Sequence, residues 1–266
     1  MIDPVVALEE NLWSLWTIFG KGPGCNLVNS NGVIRFDTPI SSLPYNAVIK
    51  FEKSEKDADG YLDAIFNHYQ QRNVEFLWIL TPNNNPKDLD KRLESRGLRE
   101  IEVCPGMHCL LDDLPTEFQT TVNDVEIREV TSADTDAIFE LVTWRWGVFD
   151  DAKDHAIAIY KVFKVGEPDA KVRIWAAWKE GIPIAKAVVH YAAGVAGLHG
   201  VVTKPEARNL GLARNLTLAA FSQAKEAGFT DGVLHSSPQA ERLYTSLGFK
   251  PVAPFRLFAT PGSFHV

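Results

Sequence analysis

The sequence predicts a mixed α/β protein built from two domains, and three observations carry that expectation. The chain has 266 residues, more than one minimal domain needs and comfortable for two. From Val125 onward, β-rich runs alternate with stretches of helical periodicity, as in a sheet covered by helices. A six-residue pattern also recurs. Leu93-Glu94-Ser95-Arg96-Gly97-Leu98 parallels Tyr244-Thr245-Ser246-Leu247-Gly248-Phe249, each after a Pro-started helix and each leading into a strand.

The composition suits packed cores, with 45% hydrophobic and 23% charged residues. No apolar run approaches the ~20 residues of a membrane helix. The opening MIDPVVALEENLWSLW carries Asp3, Glu9 and Glu10 and lacks a basic region, so it does not read as a secretory signal and a cytoplasmic location is expected. A formal charge of −7 without a block of like charge argues against a nucleic-acid partner. Three cysteines, Cys25, Cys104 and Cys109, do not form a disulfide framework.

Within the first half, Val74–Leu80 is an apolar strand closed by the loop Thr81–Pro86. Helical spacing follows at Leu89, Leu93 and Gly97, then a strand over Leu98–Val103. Pro115–Asn123 is polar and turn-rich, which sets the domains at 1–114 and 125–266 with a linker at 115–124. Val125–Val130 is the next strand, and Ser132 with Asp134 opens a helix over Ala137–Trp146. Val172–Trp178 and Ile182–Ala192 form a hairpin through Lys179-Glu180-Gly181, and Val195–Thr203 is the strand that follows. Leu210–Ala227 repeats its apolar residues with helical spacing and stops at Gly228. A short strand at Asp231–Ser237, a helix at Pro238–Leu247 and a strand at Phe249–Ala259 complete the order.

The chemistry concentrates where the strand Val195–Thr203 turns at Pro205 and enters the long helix. Free N–H groups and a positive dipole end favour phosphate at a helix N-terminus. Gly211 and Ala213 let a pyrophosphate approach the backbone, while Arg208 and Lys204 add positive charge. The bare R-x-x-G-x-A pattern also fits an ordinary surface turn, so its surroundings must decide.

Those surroundings resemble the GNAT superfamily of N-acyltransferases. The resemblance rests on a strand leading to Arg208-Asn209-Leu210-Gly211-Leu212-Ala213 and a helix, then on the later element Leu243-Tyr244-Thr245-Ser246-Leu247-Gly248-Phe249. It covers Val125–Val266; Ala213 stands where many members have Gly. The resemblance implies a mixed-sheet GNAT fold, with a degenerate GNAT-like first half that lacks the loop pattern and has Leu93 at the position of Tyr244. It implies acetyl-CoA as co-substrate and a primary amine as acceptor, with no metal. The cofactor would lie on Val201, Val202 and Thr203, on Arg208 through Ala213 (Asn209, Leu210, Gly211 and Leu212 between them) and at Ser237. Tyr244 occupies the family's general-acid position, the alternative being a core tyrosine behind the cofactor.

Strand alternation puts His199, Val201 and Thr203 on one face and Leu198 and Val202 on the other, which makes His199 a candidate base; a histidine satisfied at the sheet surface is the alternative. His190 and His235 are weaker candidates. Trp144, Trp146 and Phe149 border the expected acceptor pocket, or else serve as core. Three further patterns are set aside. Gly20-Lys21-Gly22-Pro23-Gly24 lacks the Ser/Thr of a phosphate loop, Cys104, His108 and Cys109 lack a fourth ligand, and Asp150, Asp151, Asp154 and His155 read as a helix start. The expected function is N-acetyl transfer, and the alternative is an acyl-CoA sensor or interaction protein that kept the fold.

Overall fold

The computed structural model describes residues 2–117, 124–144 and 152–262. Contacts divide the chain into two compact units that interleave in sequence. The first comprises Met1–Leu15, Pro105–Gly147 and Phe163–Val252; the second comprises Trp16–Cys104, Val148–Val162 and Ala253–Val266. The sequence placed one boundary at 115–124, of which only residues 115–117 and 124 are described. Each unit also takes in short segments from the other half of the chain.

In the first unit, strands β5 (Arg99–Leu110), β10 (Asp231–His235), β9 (Val195–Thr203), β8 (Ile182–Ala192), β7 (Val172–Lys179) and β6 (Val125–Glu129) lie side by side in that order. β9 and β10 run parallel, which requires a crossover, and α6 (Leu212–Glu226) supplies it. Leu212, Leu216, Ala220 and Phe221 of α6 pack on Ala185, Ala187 and Val189 of β8 and on Leu198 and Leu234. The opposite face takes α4 (Thr135–Trp144), where Ile138 meets Ile174, Ala176 and Trp178 of β7. Gly228, at φ 92°, ends α6, and Phe229 N–H closes back on the Ala224 carbonyl at 3.1 Å.

The chain's first element is α1 (Pro4–Trp16). Leu8, Leu12 and Leu15 form its buried stripe, with the polar Asn11 wholly buried among them.

The second unit contains β1 (Asn26–Ser30), β2 (Val33–Asp37), β3 (Ala47–Phe51), α2 (Glu55–Arg72), β4 (Leu77–Leu80), α3 (Leu89–Ser95), the start of β5, α5 (Lys153–Lys161) and most of β11 (Lys250–Ala259). β3 and β4 are parallel around the crossover α2, whose Leu62 and Tyr69 join Trp78, Leu93 and Phe258 in the core. The Tyr69 and Phe76 rings stack at 4.3 Å.

Chain order explains the recurring hexapeptide. The run β1-β2-β3-α2-β4-α3-β5 repeats as β7-β8-β9-α6-β10-α7-β11, with α7 at Glu241–Ser246. Gly97 and Gly248 sit at φ 94° and 101°, and in each copy a strand-opening N–H returns to the helix: Leu98 to the Leu93 carbonyl at 3.2 Å, Phe249 to the Tyr244 carbonyl at 3.1 Å. The final strands then diverge from contiguous expectation. β5 pairs with β10 in the first unit (His108 opposite Val233), and β11 pairs with β4 in the second (Leu257 opposite Ile79). That exchange is one reason the units interleave. Among the described residues no helix is long and apolar enough to cross a membrane.

Candidate functional site

The site begins where two parallel strands separate. β9 and β10 are in register from Ala196 opposite Gly232 to Leu198 opposite Leu234, and their pairing ends there. β9 continues to Thr203 by holding to β8, and β10 continues to His235 by holding to β5. Beyond that point the inner edges no longer pair with each other, and a strand edge of this kind is one an amide-containing chain can pair with.

β9 bends as it leaves its partner. Val188 of β8 faces His199, but Lys186, two residues earlier, faces Val202, three residues later. The extra residue makes a bulge at Gly200, whose φ is 50°. This corrects the expected facing. Cross-strand partners share a face, so His199 belongs with Val202, beside Val188 and Lys186. Val201 packs with the cluster beneath α6, and Thr203 pairs with Ala185 of that same cluster. Plain alternation put His199, Val201 and Thr203 together because it passed over Gly200, and a glycine inside a strand is the sequence mark of a bulge.

Beyond β9, a turn of 3₁₀ helix over Pro205–Ala207 leads into the loop. Asn209 at φ 63° and Gly211 at φ 73° both adopt the left-handed conformation, with Arg208 extended before them. Gly211 is the N-cap of α6 and has no side chain to occupy the first-turn N–H groups. The Leu212 side chain is buried in the core, whereas Gly211 and Asn209 are exposed. An outward-facing helix N-terminus without a capping side chain can take a phosphate group. Ser237 lies just past β10, in a turn where its carbonyl accepts from Ser236 Oγ at 2.8 Å and from Ala240 N–H at 3.0 Å.

Tyr244 lies in α7, only 5% exposed, with its ring edge-on to Phe249 at 6.0 Å. It packs in the same cluster as Leu212 and Leu216 of α6. Burial raises its phenol well above the ordinary range, so the hydroxyl stays protonated as a donor.

On the opposite face are three histidines and a lysine. His199 and His235 have ring centroids 6.1 Å apart, just past the point where their strands separate. Burial pushes His235 down to about 3 and His190 down to about 4. Burial also takes His199 well below its usual value, with His235 and His190 adding to the effect. All three are therefore neutral at pH 7.

Lys186, 4% exposed, donates to the Gly200 carbonyl at 2.9 Å, and burial lowers its amine to about 8. The sequence reading missed this residue, although a lysine inside the apolar run Ile182–Ala192 was a visible signal.

Trp146 and Phe149 lie outside the described residues, and Trp144 is described only as the last residue of α4. An open hollow of about 620 Å³ lies against the edge strand β6, lined by Glu126, Arg128, Asp134 and Trp178 among others. Its lining takes no residue from β9 or β10. The patterns set aside earlier have local explanations. His108 Nε2 pairs with Asp231 at 2.7 Å, Cys109 is buried, and Phe19–Lys21 is a 3₁₀ turn. Asp150 and Asp151 lie outside the described residues.

Residues 135–249 match the model of the acetyltransferase (GNAT) family. Three solved structures share the fold over most of the chain. A GCN5-related N-acetyltransferase from Kribbella flavida is 20% identical, with a TM-score of 0.67 over 95% of this chain and 94% of that one. A GCN5-related N-acetyltransferase from Sphaerobacter thermophilus is 14% identical, with a TM-score of 0.62 over 97% and 93%. A tandem GNAT protein from the clavulanic acid biosynthesis pathway is 12% identical, with a TM-score of 0.60 over 90% and 84%. No curated protein matches the sequence significantly.

Proposed function

We propose that this protein, whose residues 135–249 match the acetyltransferase (GNAT) family model, moves the acetyl group of acetyl-CoA to a primary amine by direct attack in a ternary complex. One observation carries the reading. The pairing of β9 and β10 ends ahead of an α6 N-terminus whose N-cap is Gly211, a residue with no side chain. A pantetheine arm has amide groups to pair with a strand edge, and a pyrophosphate suits the N–H groups that start a helix. In this reading the pyrophosphate lies on Gly211, Leu212 and Ala213, with Arg208, Asn209 and Leu210 around it. The arm lies along Val201, Val202 and Thr203 and passes Ser237.

The amine nitrogen attacks the thioester carbonyl, and a main-chain N–H within Val201–Thr203 receives the oxyanion. Lys186 holds the Gly200 carbonyl, keeps the bulge in shape and brings a positive charge to the region where negative charge develops. Attack leaves the nitrogen positively charged and acidic, so a neutral imidazole can take its proton despite weak basicity; His199 is assigned that role. The C–S bond breaks as the adduct collapses, and the protonated Tyr244 hydroxyl donates to the departing thiolate. Trp144, Trp146 and Phe149 remain the proposed border of the acceptor pocket. The chemistry needs no metal, and the setting that goes with it is cytoplasmic. In the first half, the GNAT-like repeat is assigned a structural role without cofactor.

Two measurements test this. Saturating acetyl-CoA should raise the melting temperature, because ligand at 100 times its Kd stabilises by about 2.7 kcal/mol. A panel of amines should then reveal acceptor-dependent release of free thiol. A shift without release from any amine would favour the alternative, an acyl-CoA sensor. No shift at all would remove both.

A further inference from the structure

From its contacts with the first unit, we infer that Asn11, on the N-terminal helix, is a positioning residue that fixes His199 as the Nε2–H tautomer, leaving Nδ1 as its basic atom. The role of His199 as base rests on the acyl-transfer reading, whereas the tautomer assignment does not.

Asn11 is an uncharged amide buried completely on the apolar side of α1, between Leu8, Leu12 and Leu15. Such a group is costly to bury unless each polar atom finds a partner. Its Nδ2 lies 3.1 Å from the His190 carbonyl and 3.2 Å from the Ala192 carbonyl. Carbonyls only accept, so the amide's nitrogen must face them; the reversed amide would set oxygen against two oxygens. Its Oδ1 is then turned toward His199 Nε2 at 2.8 Å. An amide oxygen only accepts, so Nε2 carries the hydrogen. A neutral imidazole protonated at Nε2 has its lone pair at Nδ1.

The surroundings hold this arrangement. A Cβ at Gly197 would lie 2.0 Å from Asn11 Oδ1, so only glycine at that position of β9 admits the amide. One turn along α1, Ser14 Oγ lies 2.9 Å from His190 Nε2, while His190 Nδ1 faces the Lys171 carbonyl at 3.3 Å. That carbonyl makes Nδ1 the donor of His190, leaving Nε2 to accept from Ser14. Two neighbouring histidines are thus held in opposite tautomers, His199 by Asn11 of the helix and His190 by the Lys171 carbonyl. No histidine on the strand alone could select its tautomer; the acceptor comes from a segment some 190 residues away in sequence.

The test uses the full chain labelled with ¹⁵N-histidine. Long-range ¹H–¹⁵N spectra at pH 7 should show one imidazole as a pure Nε2–H tautomer that disappears in His199→Gln. Asn11→Ala should turn that pattern into a tautomer mixture or into Nδ1–H. For an acceptor that releases thiol, Asn11→Ala should lower kcat about tenfold or more, with the KM for acetyl-CoA unchanged. A wild-type His199 that is charged or protonated at Nδ1 would overturn the assignment, even if the variants fail to fold. So would an unchanged tautomer in folded Asn11→Ala. A correct tautomer in a protein that acetylates no amine would support the positioning and count against the acyl-transfer reading alone.

Discussion

Lys186 Nζ lies 2.9 Å from the carbonyl oxygen of Gly200, so a nearly buried lysine on one strand is tied to the bulge of the next. Burial lowers the amine to about 8 from its usual 10.5. The unfolded chain therefore binds more protons than the folded one between those values, and stability contributed by this group rises with pH across that window. Lys186→Met should remove that rise, which is worth roughly 3 kcal/mol at most. Denaturant unfolding of both proteins from pH 7 to 11 checks the difference. Parallel curves would mean that Lys186 is not desolvated. Thiol release should also fall about 10–100-fold in this variant, since an oriented charge near the developing oxyanion is lost.

Tyr244→Phe keeps the ring that meets Phe249 edge-on and removes only the hydroxyl. Acetyl-CoA should still raise the melting temperature, while turnover falls about 10²-fold if the phenol protonates the thiolate. Unchanged turnover would leave Tyr244 as a core residue, a role its 5% exposure also suits.

At the loop before α6, Gly211→Ala forces a Cβ into a conformation of φ 73°, which costs about 1–2 kcal/mol locally. Arg208→Ala should raise the dissociation constant for acetyl-CoA about tenfold or more by removing a charge-assisted contact to phosphate. Titration calorimetry would measure both. Equal affinity for all three proteins would move the cofactor away from this loop.

Gly197→Ala tests the fit of α1 independently of any activity. The added methyl would meet Asn11 Oδ1 at 2.0 Å, and overpacking of a buried site usually costs about 1–3 kcal/mol. Thermal unfolding should show a clear loss, and the ¹⁵N pattern of His199 should change with it. A variant as stable as wild type would show that the helix can shift at no cost.

Acid stability offers a further check. His190, His199 and His235 are all neutral when folded because burial disfavours their charged forms. In the unfolded chain they titrate near 6.5, so it takes up more protons there and stability falls as pH drops below that value. With His190 at about 4 and His235 at about 3, the slope between pH 6 and 5 should reflect two to three protons. Stability that stays flat from pH 6.5 to 5 would contradict the burial of these rings.

Much of the architecture was legible in the sequence because it follows from local rules. The strands Ile182–Ala192 and Val195–Thr203 fall where the runs of β-rich residues predicted them, and the helix expected over Leu210–Ala227 forms over Leu212–Glu226. Hydrophobic spacing, a stop glycine and a hairpin turn are written in neighbouring residues. The paired hexapeptides likewise marked two equivalent helix-to-strand joints. The exchange of final strands was not legible, because β5 and β11 carry the same local pattern whichever partner they choose.

The facing expected for His199 shows where the sequence stopped. By itself the sequence determined a strand, a glycine-containing loop and a helix in order, since each depends on residues a few positions apart. Only the tertiary structure decided that a bulge at Gly200 moves His199 to the face of Val202 and Lys186. It likewise decided that Asn11 reaches the imidazole from the chain's beginning. Facing after a bulge and the choice of a buried hydrogen-bond partner depend on what packs alongside, and packing joins residues that sequence distance keeps apart.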